Sequence, residues 1–117
     1  MDDFPKRGEI YLVSLDPTVG SEINKTRPAL IVSNNINNQL SKTVTVIPIT
    51  SQVKKIYPFE VFISSQESGL FKDSKAKCDQ IRTIDKARLV KRLGFLGQER
   101  MKEIAKALSI HLDLEFD

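Results

Sequence analysis

Only one stretch of this chain carries a helical repeat, and it comes at the C-terminal end. From Gln98 to Leu112 the apolar residues Met101, Ile104, Ala105, Leu108 and Leu112 recur at three- and four-residue steps, with Glu99, Lys102, Glu103 and Lys106 between them. That is the pattern of an amphipathic helix. Everything before it is cut into apolar runs of strand length. Glu9 to Leu15 alternates and stops at Asp16-Pro17, as a strand closed by a turn does. Ala29 to Asn34 (ALIVSN) is apolar on both faces, like a central strand. Thr43 to Ile49 (TVTVIPI) repeats the pattern, and Pro48, lacking an amide hydrogen, places it at an edge or beside a bulge. Phe59 to Ile63, Ser74 to Thr83 and Val90 to Leu96 supply further strands, and Asp85 is placed to cap a short helical turn up to Leu89. Five or six short strands with one terminal helix predict a mainly β (α+β) fold, a small barrel or strongly bent sheet with the helix packed over it.

A chain of 117 residues and 13.2 kDa is expected to be one domain, spanning 1–117. Its longest apolar stretches, such as ALIV at 29 to 32, fall far short of the about 20 residues a membrane helix needs. The opening MDDFPKRGEI has no apolar signal core, so the expected compartment is the cytoplasm and no membrane contact is expected. One cysteine, Cys78, cannot form an internal disulfide, and with His111 as the one histidine there is no zinc-ligand spacing. Cys78 should point into the core, opposite to Lys77 and Asp79.

Charge is unevenly spread. Lys72 to Arg92 holds eight basic residues against three acids, a local +5 that leaves −2 for the rest of a chain whose total is +3. Such an excess suits a polyanion, although the interspersed acids on their own describe a mixed, solvated surface. Two segments are long for loops in so small a domain, Asp16 to Thr26 and Thr50 to Pro58, and long loops are where function concentrates.

If the basic face binds nucleic acid, the residues limit how the chain could cut it. A lone His111 excludes two-histidine acid-base cleavage. Asp16, Glu22, Asp79 and Asp85 share no spacing motif for Mg²⁺, so no metal or other cofactor is expected. What remains is attack by the 2′-hydroxyl of RNA on the adjacent phosphate, which needs a base, a proton donor and a cation on the phosphorane. The loop from Asp16 to Glu22 followed by Lys25-Thr26-Arg27-Pro28 holds an acid, hydroxyls and an arginine near a central strand. Pro28 pushes Arg27 into an extended conformation and so sets where its side chain leaves.

GEIYLVSLDPTVGSE, TRPALIVSN, IPITS, YPFEV and CDQIRTIDKARL, in this order, closely resemble the MazF/PemK (Kid-like) toxins of bacterial toxin-antitoxin modules, from about Lys6 to Leu112. The resemblance implies an SH3-like barrel with a C-terminal helix. It also implies a homodimer that cleaves single-stranded mRNA without metal, and a MazE-like antitoxin that holds it inactive. The arginine of the family's RP motif falls on Arg27 and the threonine of its P-x-T-S motif on Thr50, the pair expected to be catalytic. A guanidinium can grip two phosphate oxygens and stabilise the added charge, and a threonine hydroxyl can donate to a non-bridging oxygen. Glu22 matches the glutamate of G-x-E, while Ser21 stands where some relatives carry histidine. Serine is a poor base at neutral pH, which leaves Glu22 or Asp79 to accept the proton. Lys77 stands where some relatives place arginine and would meet phosphate as a point charge. Gln80 suits base or ribose recognition, and Lys25 and Asp16 complete the expected RNA contacts.

Tyr57 could be offered to a base for stacking, although anchoring of Phe59 in the core is the stronger reading of Tyr57-Pro58-Phe59. Arg82, Asp85 and Arg88 are read as scaffold, Asp85 as a cap and Arg82 in an ion pair. Two other functions remain open at this point: a non-enzymatic toxin that binds DNA gyrase, as the related CcdB toxins do, and an RNA-binding barrel with incomplete catalytic machinery.

Overall fold

Several strands form where β-branched runs sit between turn signals, as in Thr43 to Thr50. In the computed structural model, which describes residues 3–115, there are seven. They are β1 (Glu9–Ser14), β2 (Thr26–Ile31), β3 (Thr43–Thr50), β4 (Glu60–Ile63), β5 (Ser74–Lys77), β6 (Arg82–Asp85) and β7 (Leu89–Phe95). Three α-helices accompany them: α1 (Asn35–Leu40), α2 (Ser65–Ser68) and α3 (Gln98–His111). The antiparallel sheet runs β4-β5-β3-β2-β1-β7, and β6 also pairs with β3.

The expectation of about six strands in a barrel is corrected in two respects. The run from Ser74 to Thr83 is two strands, because β5 pairs with Ile49 and Thr50 while β6 pairs with Thr43 to Val46. A 3-10 turn, Cys78–Gln80, carries the chain between these two halves of β3. Nor does the sheet close, since β4 and β7 lie at opposite ends of its order. The architecture is still mainly β with a C-terminal helix. Pro48 is not on an edge strand: β3 is the hub of the sheet, and Pro48 sits where its flank passes from β6 to β5. An amide hydrogen is missed least where a ladder is already interrupted.

Period-2 alternation gives the central strands a core on each face. Leu30 and Ile47 enter one cluster with Ile10, Ile49, Val61 and Ile63, while Ala29, Ile31 and Val46 enter the other with Val13, Val44 and Ile84. Helix α3 covers the first cluster with Ile104 and Ala107, flanked by Met101 and Leu108. Its buried stripe thus takes Ala107 in place of Ala105, and Leu112 is exposed. The two short helices escape a search for periodicity because their caps define them. Asn34 accepts from the Asn37 amide ahead of α1, and Ser64 and Glu67 form a reciprocal capping box on α2.

Candidate active site

Arg27 lies near the start of β2 and Thr50 at the end of β3, and 22 residues lie between them in the sequence. The β2–β3 register runs Ile31–Val46, Leu30–Ile47 and Ala29–Pro48, and the two residues lie just past its end, Arg27 two before Ala29 and Thr50 two after Pro48. Both line two clefts at once, together with Ile49 and Ser51, and so form the ridge between them.

The first cleft, about 310 Å³, is polar, with Ser21, Glu22 and Asn24 from the β1–β2 loop and Gln52 from the segment after β3. The second, about 390 Å³, has an apolar floor of Leu12, Pro28, Leu70 and Leu93, with Phe71, Lys72 and Lys91 around it. On the ridge, Arg27 Nε donates to the Asn24 carbonyl at 3.2 Å, which directs an otherwise exposed side chain. The Gln52 amide donates to Thr50 Oγ1 at 3.2 Å. Because that hydroxyl is the acceptor in this bond, its own proton is free for another oxygen.

The β1–β2 loop is held from the segment that follows β5. Gln80 accepts from the Ile23 amide at 2.7 Å and donates to the Ser21 carbonyl at 3.2 Å, bracketing Glu22. Arg82 donates to the Leu15 carbonyl at 3.2 Å and Arg88 to the Ser14 carbonyl at 3.1 Å and to that of Asp16. Arg82 thus bonds a backbone carbonyl where an ion pair is expected. Asp85 caps as expected, accepting from the Ala87 amide at 2.8 Å. The Glu22 carboxylate accepts from the Val19 amide and Asp16 accepts from the Thr18 hydroxyl. Lys25, in the left-handed region at φ 66, takes the Leu15 amide on its carbonyl and closes the base of the loop.

Lys77 and Asp79 line neither cleft. Lys77 Nζ lies 2.7 Å from Glu60 Oε2 and 3.8 Å from Asp79 Oδ1, and Lys75 Nζ lies 2.9 Å from Glu60 Oε1. Burial would push the Glu60 carboxyl up, but hydrogen bonds from Lys77, the Tyr57 amide and Lys75 outweigh it and hold the group at about 2. Burial likewise works against the charge on Lys77, and the hydrogen bond to Glu60 with the charge of Asp79 raises it above the ordinary lysine value. Asp79 Oδ1 is buried without a hydrogen-bond partner. Cys78, between them, is buried and its thiol is pushed up to about 12, by burial first and then by the charges of Asp79 and Glu60. Among the described residues no group of three or more histidine, cysteine, aspartate or glutamate side chains is placed to hold a metal.

These pairings redistribute the +5 segment. Lys75, Lys77 and Arg92 are spent on carboxylates, and Arg82 and Arg88 on carbonyls, while Lys72 and Lys91 face a cleft. Tyr57 is occupied as well: it stacks on Phe59 with ring centroids 5.3 Å apart and carries Lys55 Nζ over its face at 4.7 Å. The aromatic that sequence reasoning missed is Phe71, fully exposed at the larger cleft. Its signal was a phenylalanine outside any periodic run, between Gly69-Leu70 and Lys72.

The chain matches, over residues 6–112, the family described as "PemK-like, MazF-like toxin of type II toxin-antitoxin system". It is 42% identical over 114 residues to endoribonuclease MazF9 of Mycobacterium tuberculosis (strain ATCC 25618 / H37Rv), covering 93% of this chain and 97% of that protein. It is also 42% identical over 110 residues to endoribonuclease EndoA of Bacillus subtilis (strain 168), covering 93% and 95%. Its fold is similar to a mycobacterial endoribonuclease solved in complex with its cognate antitoxin, with TM-score 0.80, 27% identity, and 97% of this chain and 99% of that one covered.

Proposed function

The chain belongs to the PemK-like, MazF-like toxins of type II toxin-antitoxin systems and is an endoribonuclease toxin, and from that premise we propose that it cuts single-stranded mRNA at the Arg27–Thr50 ridge without a metal ion. One observation carries the assignment of the site: the two side chains suited to a phosphorane meet on a ridge with a cleft on each side, where a strand laid across it would present a phosphate.

Glu22, on the polar cleft, takes the proton of the 2′-hydroxyl. The 2′-oxygen attacks phosphorus, the bond to the 5′-oxygen breaks, and that oxygen leaves as a hydroxyl after taking a proton from solvent. Arg27 holds two phosphate oxygens in its fork and Thr50 donates to a non-bridging oxygen, so both act where charge accumulates. The products are a 2′,3′-cyclic phosphate, or the 3′-phosphate it hydrolyses to, and a 5′-hydroxyl. Ser21 contributes its carbonyl to the loop clamp and has no need to act as a base. Of the two carboxylates, Glu22 is favoured over Asp79 because it shares a cleft with the pair.

We take residues 1–117 as one cytoplasmic toxin domain that works as a homodimer and is silenced by a MazE-like antitoxin. The relative solved with its cognate antitoxin supports the antitoxin, and exposed Val90 and Phe95 on the edge strand β7 offer apolar surface for a second protomer. Among the described residues no helix is long and apolar enough to cross a membrane. The test is incubation of purified protein with single-stranded RNA, with and without EDTA, and identification of the product ends. Cleavage in EDTA leaving cyclic phosphate and 5′-hydroxyl is expected. Cleavage abolished by EDTA and restored by Mg²⁺ would refute the mechanism, and RNA bound but never cut would leave an RNA-binding protein without catalysis.

A further inference from the structure

We propose that the apolar cleft is a nucleobase-stacking subsite, in which Phe71 receives a base next to the scissile phosphate while Lys72 and Lys91 take flanking phosphates. The inference rests on the RNA reading above and deepens it, and four observations carry it.

The position of Phe71 is set by its backbone surroundings. Helix α2 ends at Gly69 in the left-handed conformation, φ 82, and packs directly against β7: a Cβ on Gly94 would stand 2.0 Å from the Ser68 carbonyl oxygen. Leu70 then packs against the core, and the next residue, Phe71, is turned fully into solvent. On its far side the chain is tied again, by Asp73 accepting from the Ser65 amide at 2.9 Å and by Ser74 Oγ donating to the Lys72 carbonyl at 3.0 Å. The ring therefore stands on a short segment anchored at both ends.

The floor beside it is apolar, made by Leu12, Pro28, Leu70 and Leu93, and offers contact without directional demands. The cations on the cleft are Arg27, Lys72 and Lys91, and no acidic side chain lines it. Finally, the cleft runs onto the ridge that holds Thr50, so its occupant is continuous with the proposed reaction centre. A single exposed phenylalanine needs no explanation. An exposed ring on an apolar cleft with three cations is the combination that single-stranded RNA uses, bases on π-faces and phosphates on a basic groove.

The chain has no tryptophan, so Phe71→Trp places a sole tryptophan on the cleft. The probe is a random-sequence single-stranded 2′-O-methyl oligonucleotide, which has no 2′-hydroxyl to attack with and cannot be cut. Its control is a sugar-phosphate strand of the same length lacking bases. We expect the oligonucleotide to quench the tryptophan and the abasic strand to leave it unchanged. Phe71→Ala should weaken binding of the oligonucleotide about tenfold, the scale for one stacked base, with an unchanged salt slope, and Phe71→Tyr should restore it. Equal quenching by both strands, wild-type binding by Phe71→Ala, or failure of the wild-type protein to bind the oligonucleotide would overturn the subsite. So would a Phe71→Ala variant that loses only an acidic peptide, which would make the cleft a protein-docking surface. Because the probe is not cleavable, a stacking signal beside natural RNA left uncut would support the subsite and refute the nuclease mechanism, whereas cut RNA without the signal would do the reverse.

Discussion

The two clefts share the Arg27–Thr50 ridge and differ in almost everything else. The polar cleft takes its wall from a loop clamped by Gln80, Arg82 and Arg88, so its donors and acceptors stand at set heights. The apolar cleft takes its floor from Leu12, Pro28, Leu70 and Leu93 and has Lys72 and Lys91 around it. Hydrogen bonds discriminate between bases because their geometry is demanding, and stacking tolerates any base because every base has a π-face. A strand crossing the ridge would be read for identity on one side and gripped without regard to identity on the other.

Removing the ridge breaks the comparison most completely. Arg27→Ala and Thr50→Ala should each lower kcat about a hundredfold or more, the scale for losing one donor to transition-state charge, while circular dichroism shows an intact fold. Either variant cutting RNA at a near-normal rate would remove that residue from the mechanism.

A third region tests whether Lys77 belongs to either cleft. Glu60 titrates at about 2 against an ordinary 4.5, so the stability it contributes is complete above about pH 4.5 and is lost as pH falls through 2. At neutral pH that is about 3 kcal/mol. Glu60→Gln should lower the denaturation midpoint accordingly, with the gap to wild type narrowing as urea unfolding is repeated towards pH 2, and cleavage per folded molecule should be unchanged. A gap independent of pH would mean that the charge on Glu60 is not what stabilises the lysines.

Gln80→Leu sharpens the contrast, since it frees the loop that walls the polar cleft and leaves the other cleft intact. A roughly tenfold loss in kcat is expected, by the argument that small misplacements of a catalytic group are costly. It should come with faster hydrogen exchange at the Ile23 amide, a readout that loss of direct RNA contact would not move. Slow exchange at Ile23 in the variant would show that the clamp does not hold the loop.

The smallest effects belong to the rim. Lys72→Ala and Lys91→Ala should each raise KM a few-fold and reduce the salt slope of RNA binding by about one. Lys77→Ala should leave that slope unchanged, because its charge is matched inside the protein. The opposite ranking would move the RNA path from the ridge to the β5 end of the sheet.

Much of this molecule is decided over short distances along the chain, and there the sequence speaks directly. Alternating β-branched runs and a three-to-four repeat specify β1, β3 and α3 nearly to the residue, because the period of side-chain burial is a local property. Arg27 before Pro28, Thr50 at a strand end and Glu22 in its loop were legible as motifs. Four things were not. The split of β5 from β6 arises because β3 changes partner, and seating Arg27 and Thr50 on one ridge depends on how separate strands come together. The withdrawal of Lys75 and Lys77 into pairs with Glu60 is a solution to burying charge. The exposure of Phe71 follows from a helix end meeting a glycine on a distant strand. Each of these is a long-range contact whose free energy exists only once the chain has closed on itself, and so tertiary structure alone decided which charges and rings were left for the substrate.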